Sequence, residues 1–236
     1  SPVFKTLEKN VKPGRTVCAS GLSTINKSNI IYALCHLKGV TAFCLASDEK
    51  EAQTLCNDLS CMGLRAYVYP VRDFNFLDFQ SRSHEYEHAR LKVLLKLINH
   101  ECDVAIACVD AAAQLTVPKN VLEQSVIEFE EGRELSLEKA TKALTLLGYE
   151  RFDAVEGSGQ FSLRGGILDF FMPDSDYPVR CEFWGDEITD LSYFDIETQR
   201  RFKKADKITL SPSTEIVIED RAALADKIEH KAKLLR

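Results

Sequence analysis

Long apolar runs are missing from this sequence. Nothing approaches the roughly eighteen uninterrupted residues that a membrane-crossing helix needs, and the N-terminus lacks the basic-then-apolar layout of a secretion signal. A cytoplasmic chain without a membrane partner is expected. Excess positive charge is missing too: the formal net charge of -6 gives no field suited to gripping phosphates, so a protein rather than DNA is the expected partner. There are eight cysteines but no C-x-x-C pair. Cys18, Cys44, Cys108 and Cys181 lie in apolar runs that read as strands, so the cysteines are expected to be reduced, buried and simply apolar. Tryptophan occurs once, as Trp184.

What is present is an ordinary globular composition, 236 residues with 45% hydrophobic and 28% charged side chains, enough for two buried cores. Residues 1–14 form an amphipathic lead with Val3, Phe4, Leu7 and Val11 on one helical face. Strands are expected at Thr16–Ala19, Val40–Ala46, Arg65–Tyr69 and Asp103–Val109, with helices at Lys27–Leu37, Glu49–Leu59 and Glu85–Ile98. Strands separated by long helical segments imply right-handed crossovers and a parallel sheet covered on both faces. The fold class over residues 1–117 is therefore α/β, of the nucleotide-binding type.

After the first expected strand, Gly21-Leu-Ser-Thr-Ile-Asn26-Lys27-Ser28 matches a phosphate-binding loop at every fixed position but one. In a working loop, backbone N–H groups wrap the phosphates, the lysine reaches their outer oxygens and the hydroxyl holds magnesium. Asn26 stands where the last glycine belongs, and its side chain fills space the main chain needs to approach phosphate. Val104–Asp110 has the outline of a magnesium-binding strand, but Ala111 and Ala112 follow where an acid would supply a base. The loop (Gly21, Asn26, Lys27, Ser28) reads as degenerate and inactive, a turn kept for packing, with ATP binding as the alternative.

His84-Glu85-Tyr86-Glu87-His88 is a formal H-E-x-x-H, yet its spacing continues into Leu91, Leu95 and Ile98. No later histidine supplies a convincing third ligand, so no metal site is assigned. Phe74, Phe76 and Phe79 sit near arginines and could stack on bases, although a loop pinned to its own domain is the plainer reading.

Pro118 marks a change to short strands and turn residues. Ser125–Phe129 reads as a strand, Leu137–Leu147 as a helix capped by Ser136 and ended by Gly148, and Tyr149–Val155 as a strand. Beyond them, Phe161 and Leu163 alternate with Gln160, Ser162 and Arg164, and Val179, Cys181 and Phe183 alternate with Arg180, Glu182 and Trp184. That is the period of half-buried antiparallel strands, apolar on one face and charged on the other. Guanidinium groups beside a carboxylate can make bidentate contacts with a complementary partner. Lys207–Leu210 begins another strand and Arg221–Leu235 an amphipathic helix.

Residues 159–201 resemble the domain shared by the excision-repair subunit UvrB and the bacterial transcription-repair coupling factors, the Mfd family. The family pattern, G-x-F-x-x-R-G-G-I-x-D-x-F followed by R-x-E-F-x-G-D-E-I and F-D-x-x-T-Q-R, is met by Arg164-Gly165-Gly166-Ile167, Asp169, Phe171, Arg180, Glu182, Phe183, Gly185-Asp186-Glu187-Ile188, Phe194-Asp195 and Thr198-Gln199-Arg200. The order of flanking elements extends the likeness to essentially the whole chain. The degraded loop, the short segment between Pro70 and Ser83 and the Thr198-Gln199-Arg200 ending are similar to the coupling-factor N-terminal module rather than to UvrB.

The resemblance implies a degenerate P-loop-like parallel-sheet domain (1–117) interrupted by a smaller α+β antiparallel-sheet domain (118–205), with the return segment starting at 206–236. It implies a monomeric, non-catalytic module that recruits UvrA to stalled RNA polymerase for nucleotide excision repair. The UvrA contacts carry over to Arg151, Arg164, Arg180 and Glu182, with Phe171 and Trp184 as accompanying aromatics, while Ser162 stands where UvrB has a further arginine. No cofactor is implied for this piece. ATP and magnesium belong to the motor of the parent, an ATP-dependent DNA translocase whose other partners are RNA polymerase and double-stranded DNA. The alternative is a UvrB-like, ATP-dependent DNA-damage recognition module.

Overall fold

The computed structural model describes residues 2–72, 84–124, 127–215 and 221–234. Along the chain lie α1 (Pro2–Asn10), α2 (Thr24–Lys38), β1 (Ala42–Ala46), α3 (Glu49–Cys61), β2 (Ala66–Tyr69), α4 (Glu85–Ile98), β3 (Val104–Cys108) and the short α5 (Val109–Ala112) and α6 (Lys119–Gln124). There follow β4 (Ile127–Glu130), α7 (Leu137–Leu146), β5 (Glu150–Arg151), β6 (Gln160–Arg164), β7 (Ile167–Phe170), β8 (Val179–Trp184), β9 (Glu187–Phe194), β10 (Arg201–Lys204), β11 (Lys207–Leu210) and α8 (Arg221–Leu234). They form two compact units, Ser1–Leu77 with Lys96–Leu115, and Asp78–Leu95 with Thr116–Arg236. The chain is thus mixed α/β, with parallel and antiparallel sheets. No helix of the described residues is long and apolar enough to cross a membrane.

Local chemistry sets the helix ends of the first unit. At α3, Asp48 accepts the Glu51 N–H at 2.8 Å while the Glu51 carboxylate accepts the Ser47 N–H at 2.8 Å, so donors with no partner inside the helix are satisfied. At the end of α2, Gly39 takes the left-handed conformation (φ 61°) and donates its N–H to the Cys35 carbonyl.

The three strands of this unit are parallel, in the order β1-β3-β2. Ala42, Cys44 and Ala46 share a face with Val104, Ile106, Ala66 and Val68, and this face packs on Ile31 and Cys35 of α2 and on Leu55 and Leu59 of α3. The expectation of cover on both faces fails at β1, where Phe43 and Leu45 are each 62% exposed while their partners Ala105 and Ala107 are buried. The difference follows from position, because β1 is an edge strand and β3 is central.

Thr16–Ala19 does not form the expected strand. Residues 15–20 run largely exposed and pair with no strand among the described residues. Cys18 lies in it and is exposed, as is Cys61; Cys44 is half-buried and the other five cysteines are buried. All eight are free. Burial pushes the Cys44 and Cys102 thiols up to about 11 and that of Cys181 up to about 12, so they stay protonated and pack as small apolar groups.

The second unit is built on a six-stranded sheet of order β10-β9-β8-β7-β6-β5, antiparallel except between β5 and β6. Leu168, Phe170, Val179, Cys181 and Leu191 form its inner face and pack with Ala140 and Leu144 of α7 and with Phe129 of β4. Burying side chains of this size contributes roughly 1.5–3 kcal/mol each. The Ser136 hydroxyl caps α7 by accepting the Lys139 N–H at 3.3 Å. Beside the main sheet, β11 pairs antiparallel with β4. The strand expected at Tyr149–Val155 stops after Arg151. Beyond it the Asp153 carbonyl accepts from the Ser162 hydroxyl at 2.8 Å, which turns the chain across the sheet.

The histidines of the H-E-x-x-H run each face a polar side chain of the same unit. His84 Nδ1 lies 3.1 Å from Glu87 Oε2, His88 Nε2 faces the Ser213 hydroxyl at 3.4 Å, and Leu91 and Leu95 are buried. No group of three metal-ligating side chains is found among the described residues. A side chain at Gly159 (φ +78°) would come within 2.5 Å of the His88 ring, so that position requires glycine.

Burial, with His84 alongside, lowers the pKa of His88 below the ordinary 6.5, against the opposing pull of Glu87 and Glu150. The unfolded chain therefore takes up this proton more readily than the folded one. The His88 contribution to stability is intact above about pH 6.5 and is lost as pH falls through 6.5 toward the lower folded value. Urea midpoints measured at pH 7.5 and 5.5 should fall at the lower pH, and His88→Gln should reduce the fall.

Candidate functional site

The outer face of the six-stranded sheet gathers most of the residues singled out from the sequence. The register sets Ser162, Asp169, Arg180 and Ser192 side by side across β6 to β9, and Arg164, Ile167, Glu182 and Asp190 in the next row. Asp169 lies between Leu168 and Phe170 on β7 and is 1% exposed. A carboxylate buried this deeply has to be paired. Its Oδ1 accepts from Arg180 Nε at 2.7 Å, and its Oδ2 accepts from Arg180 Nη2 and Arg164 Nη2, both at 2.8 Å.

Arg180 has further work. Its Nη1 and Nη2 donate to the carbonyl and side-chain oxygen of Gln199, at 3.2 and 3.0 Å, and its guanidinium stacks 4.4 Å from the centre of the buried Phe194 ring. Gln199 has φ 58°, an uncommon conformation for a side chain of its size, and the Arg180 bonds help to hold the turn there. The Arg180 side chain is 12% exposed and that of Arg164 50%. A second cluster lies alongside, where Arg201 of β10 forms ion pairs with Glu182 and, at 2.9 Å, with Asp190.

The two glycines of the Arg164-Gly165-Gly166-Ile167 hairpin have separate reasons. Gly165 takes a positive φ of 61°, and a Cβ at Gly166 would lie 2.7 Å from the Phe183 carbonyl oxygen. The close approach lets the Phe183 N–H donate to the Gly166 carbonyl at 2.8 Å. At this end of the sheet Gly166, Ile167, Glu182, Phe183, Trp184 and Thr189 line an open cavity of about 350 Å³, and Trp184 beside it is 82% exposed.

Arg164, Arg180, Glu182 and Trp184 are thus brought to one face. Phe171 follows β7 and is half-buried, its main chain paired with Gln160 and Gly159. Arg151 is exposed on the edge strand β5, but its register opposite Phe161 puts it on the other face from Arg164. Sequence reasoning assigned no role to Asp169 or Arg201. A signal existed for the first, since an acid flanked by Leu168 and Phe170 on a strand needs a cation.

At the phosphate-loop match, α2 begins at Thr24, so Asn26, Lys27 and Ser28 are helical, and only Gly21 (φ 75°) lies in the turn before it. Lys27 Nζ bonds Glu51 at 2.7 Å, and the buried Ser28 hydroxyl donates to Asp58 Oδ2 at 2.9 Å. The Lys27 and Ser47 hydrogen bonds hold the Glu51 carboxyl down at about 2.

Residues 127–216 match the model of the UvrB interaction domain. The chain is 28% identical over 231 residues to the transcription-repair-coupling factor of Bacillus subtilis, covering 96% of this chain and 20% of that protein. It is 26% identical over 243 residues to the coupling factor of Myxococcus xanthus, with 95% and 20% covered, and 28% identical over 164 residues to that of Staphylococcus haemolyticus, with 70% and 14% covered. The chain therefore spans at most about a fifth of the length of these curated relatives. Residues 127–216 are thus similar to the UvrB interaction domain, within a chain that is similar to the transcription-repair-coupling factors over nearly its whole length, in line with the resemblance carried by residues 159–201.

Proposed function

We propose that this chain is a non-catalytic recruitment module that binds UvrA through the outer face of the six-stranded sheet, centred on Arg164, Arg180, Glu182 and Trp184. The observation that carries the reading is the arginine pair held on one buried carboxylate beside an exposed tryptophan, all within the residues that match the UvrB interaction domain. The half-exposed Arg164 guanidinium, backed by Arg180, suits an acidic partner surface, and a solvent-facing indole beside an open cavity suits an anchor at the interface centre. Arg151, on the opposite face, and half-buried Phe171 lie outside this cluster. In the parent protein the partners would include RNA polymerase and double-stranded DNA, with ATP and magnesium serving a motor outside residues 1–236, in the cytoplasm.

The reading further holds that Gly21–Ser28 is a degenerate P-loop that binds no nucleotide. Its lysine and hydroxyl are occupied by Glu51 and Asp58. Calorimetric titration of the chain with ATP and magnesium is expected to give no heat of binding, with or without Lys27→Ala. Binding that Lys27→Ala abolishes would favour the UvrB-like, ATP-dependent reading. The recruitment reading itself is tested by capture of purified UvrA on the immobilised chain, and failure of a folded chain to capture it would remove the proposal.

A further inference from the structure

We infer that Asp169 is the positioning residue of this face: it fixes Arg164 in the orientation that meets the partner, and Arg180 acts with it as a brace rather than as a contact. The inference rests on the recruitment reading above. It starts from the division of donors between the two arginines. Arg180 directs Nε, Nη1 and Nη2 inward, onto Asp169 and Gln199, and its side chain is nearly buried. Arg164 commits one nitrogen, Nη2, to Asp169; its Nε and Nη1 have no partner among the described residues and its side chain is half exposed.

A single buried carboxylate thus holds one guanidinium that is used up and one that is presented. Arginine loses considerable rotamer freedom when it docks, and a side chain already tethered at one nitrogen loses less. The tether also sets the plane of the Arg164 fork, which decides whether a partner carboxylate can be met by two parallel bonds. Arg180 keeps Asp169 in place from the far side while bonding the Gln199 turn.

The test measures affinity for purified UvrA by titration, together with the urea midpoint of each variant. Arg164→Ala in the otherwise unchanged chain is expected to weaken binding about thirtyfold. Asp169→Asn is expected to weaken it about tenfold, and Arg164→Ala added to that background should then cost less than about threefold, the signature of two residues acting as one unit. Leu144→Ala, a core truncation on α7, should lower the midpoint and leave the affinity within about twofold of the parent, which separates positioning from general destabilisation.

If Asp169→Asn does not fold, Asp169→Asn combined with Arg180→Met removes the buried cation along with its carboxylate, and the same small effect of Arg164→Ala is expected. The inference is overturned if Asp169→Asn binds like the parent, if the full thirtyfold effect of Arg164→Ala persists in either background, or if Leu144→Ala loses as much affinity. Absence of binding by the unsubstituted chain would remove the recruitment reading and this inference together, whereas normal binding by Asp169→Asn would remove only the inference.

Discussion

Arg164→Glu is expected to weaken UvrA binding by about 2–4 kcal/mol while the chain stays folded. The size follows from what the substitution does at this position. It removes a half-exposed guanidinium with two uncommitted nitrogens, and it puts a carboxylate next to buried Asp169, where one of two cations remains. An acidic partner surface would then face like charge. The fold should survive because Arg180 still satisfies both oxygens of Asp169, at 2.7 and 2.8 Å. Far-ultraviolet circular dichroism and the urea midpoint check the fold, and a binding titration checks the affinity. Trp184, at 82% exposure, is a poor reporter of unfolding and a good one of partner contact, so its fluorescence should change on binding rather than on moderate destabilisation.

The largest effect on stability is expected at Arg90, whose side chain on α4 is fully buried and bonds Glu215 at 2.6 Å, a partner 125 positions away in sequence. Arg90→Met should cost about 3–5 kcal/mol, because it takes a buried cation away from a buried carboxylate that it bonds directly. Arg90→Met combined with Glu215→Met removes both charges and should recover part of that loss, since the direct ion pair is then replaced as a unit by apolar groups. Urea denaturation followed by circular dichroism distinguishes the two outcomes. A double variant as unstable as the single one would mean that the cost comes from packing. The neighbouring bonds of Glu87, to the Thr214 hydroxyl at 2.8 Å and the Glu215 N–H at 2.7 Å, should keep the segment after β11 in place in the double variant.

Legibility followed periodicity. The α4 helix falls on the expected Glu85–Ile98, because its apolar residues recur at helical spacing along one face. Strands β6 and β8 fall where alternation put them, with Phe161, Cys181 and Phe183 buried inward and Arg164, Glu182 and Trp184 on the other side. What alternation cannot carry is which strand lies next to which. Thr16–Ala19 has the composition of a strand but pairs with no strand among the described residues. Arg151 is one strand away from Arg164, yet the parallel register with Phe161 puts it on the opposite face.

Pairing between strands was equally hidden. The pattern marked Asp169 as a fixed position without revealing that it lies between Ser162 and Arg180 in one row, where Arg164 also reaches it. Arg201 reaches Glu182 from β10 across β9, a contact that depends on the sheet order and the bulge between Arg201 and Lys203. The phenylalanines at 74, 76 and 79 lie outside the described residues.

The most direct measurement is a titration of the intact chain with purified UvrA, run beside the Arg164→Glu variant under the same salt conditions. Saturable binding by the chain that Arg164→Glu removes, with both proteins equally folded, is the predicted result. A folded chain that does not bind UvrA, or one whose binding Arg164→Glu leaves unchanged, would contradict the assignment of this face.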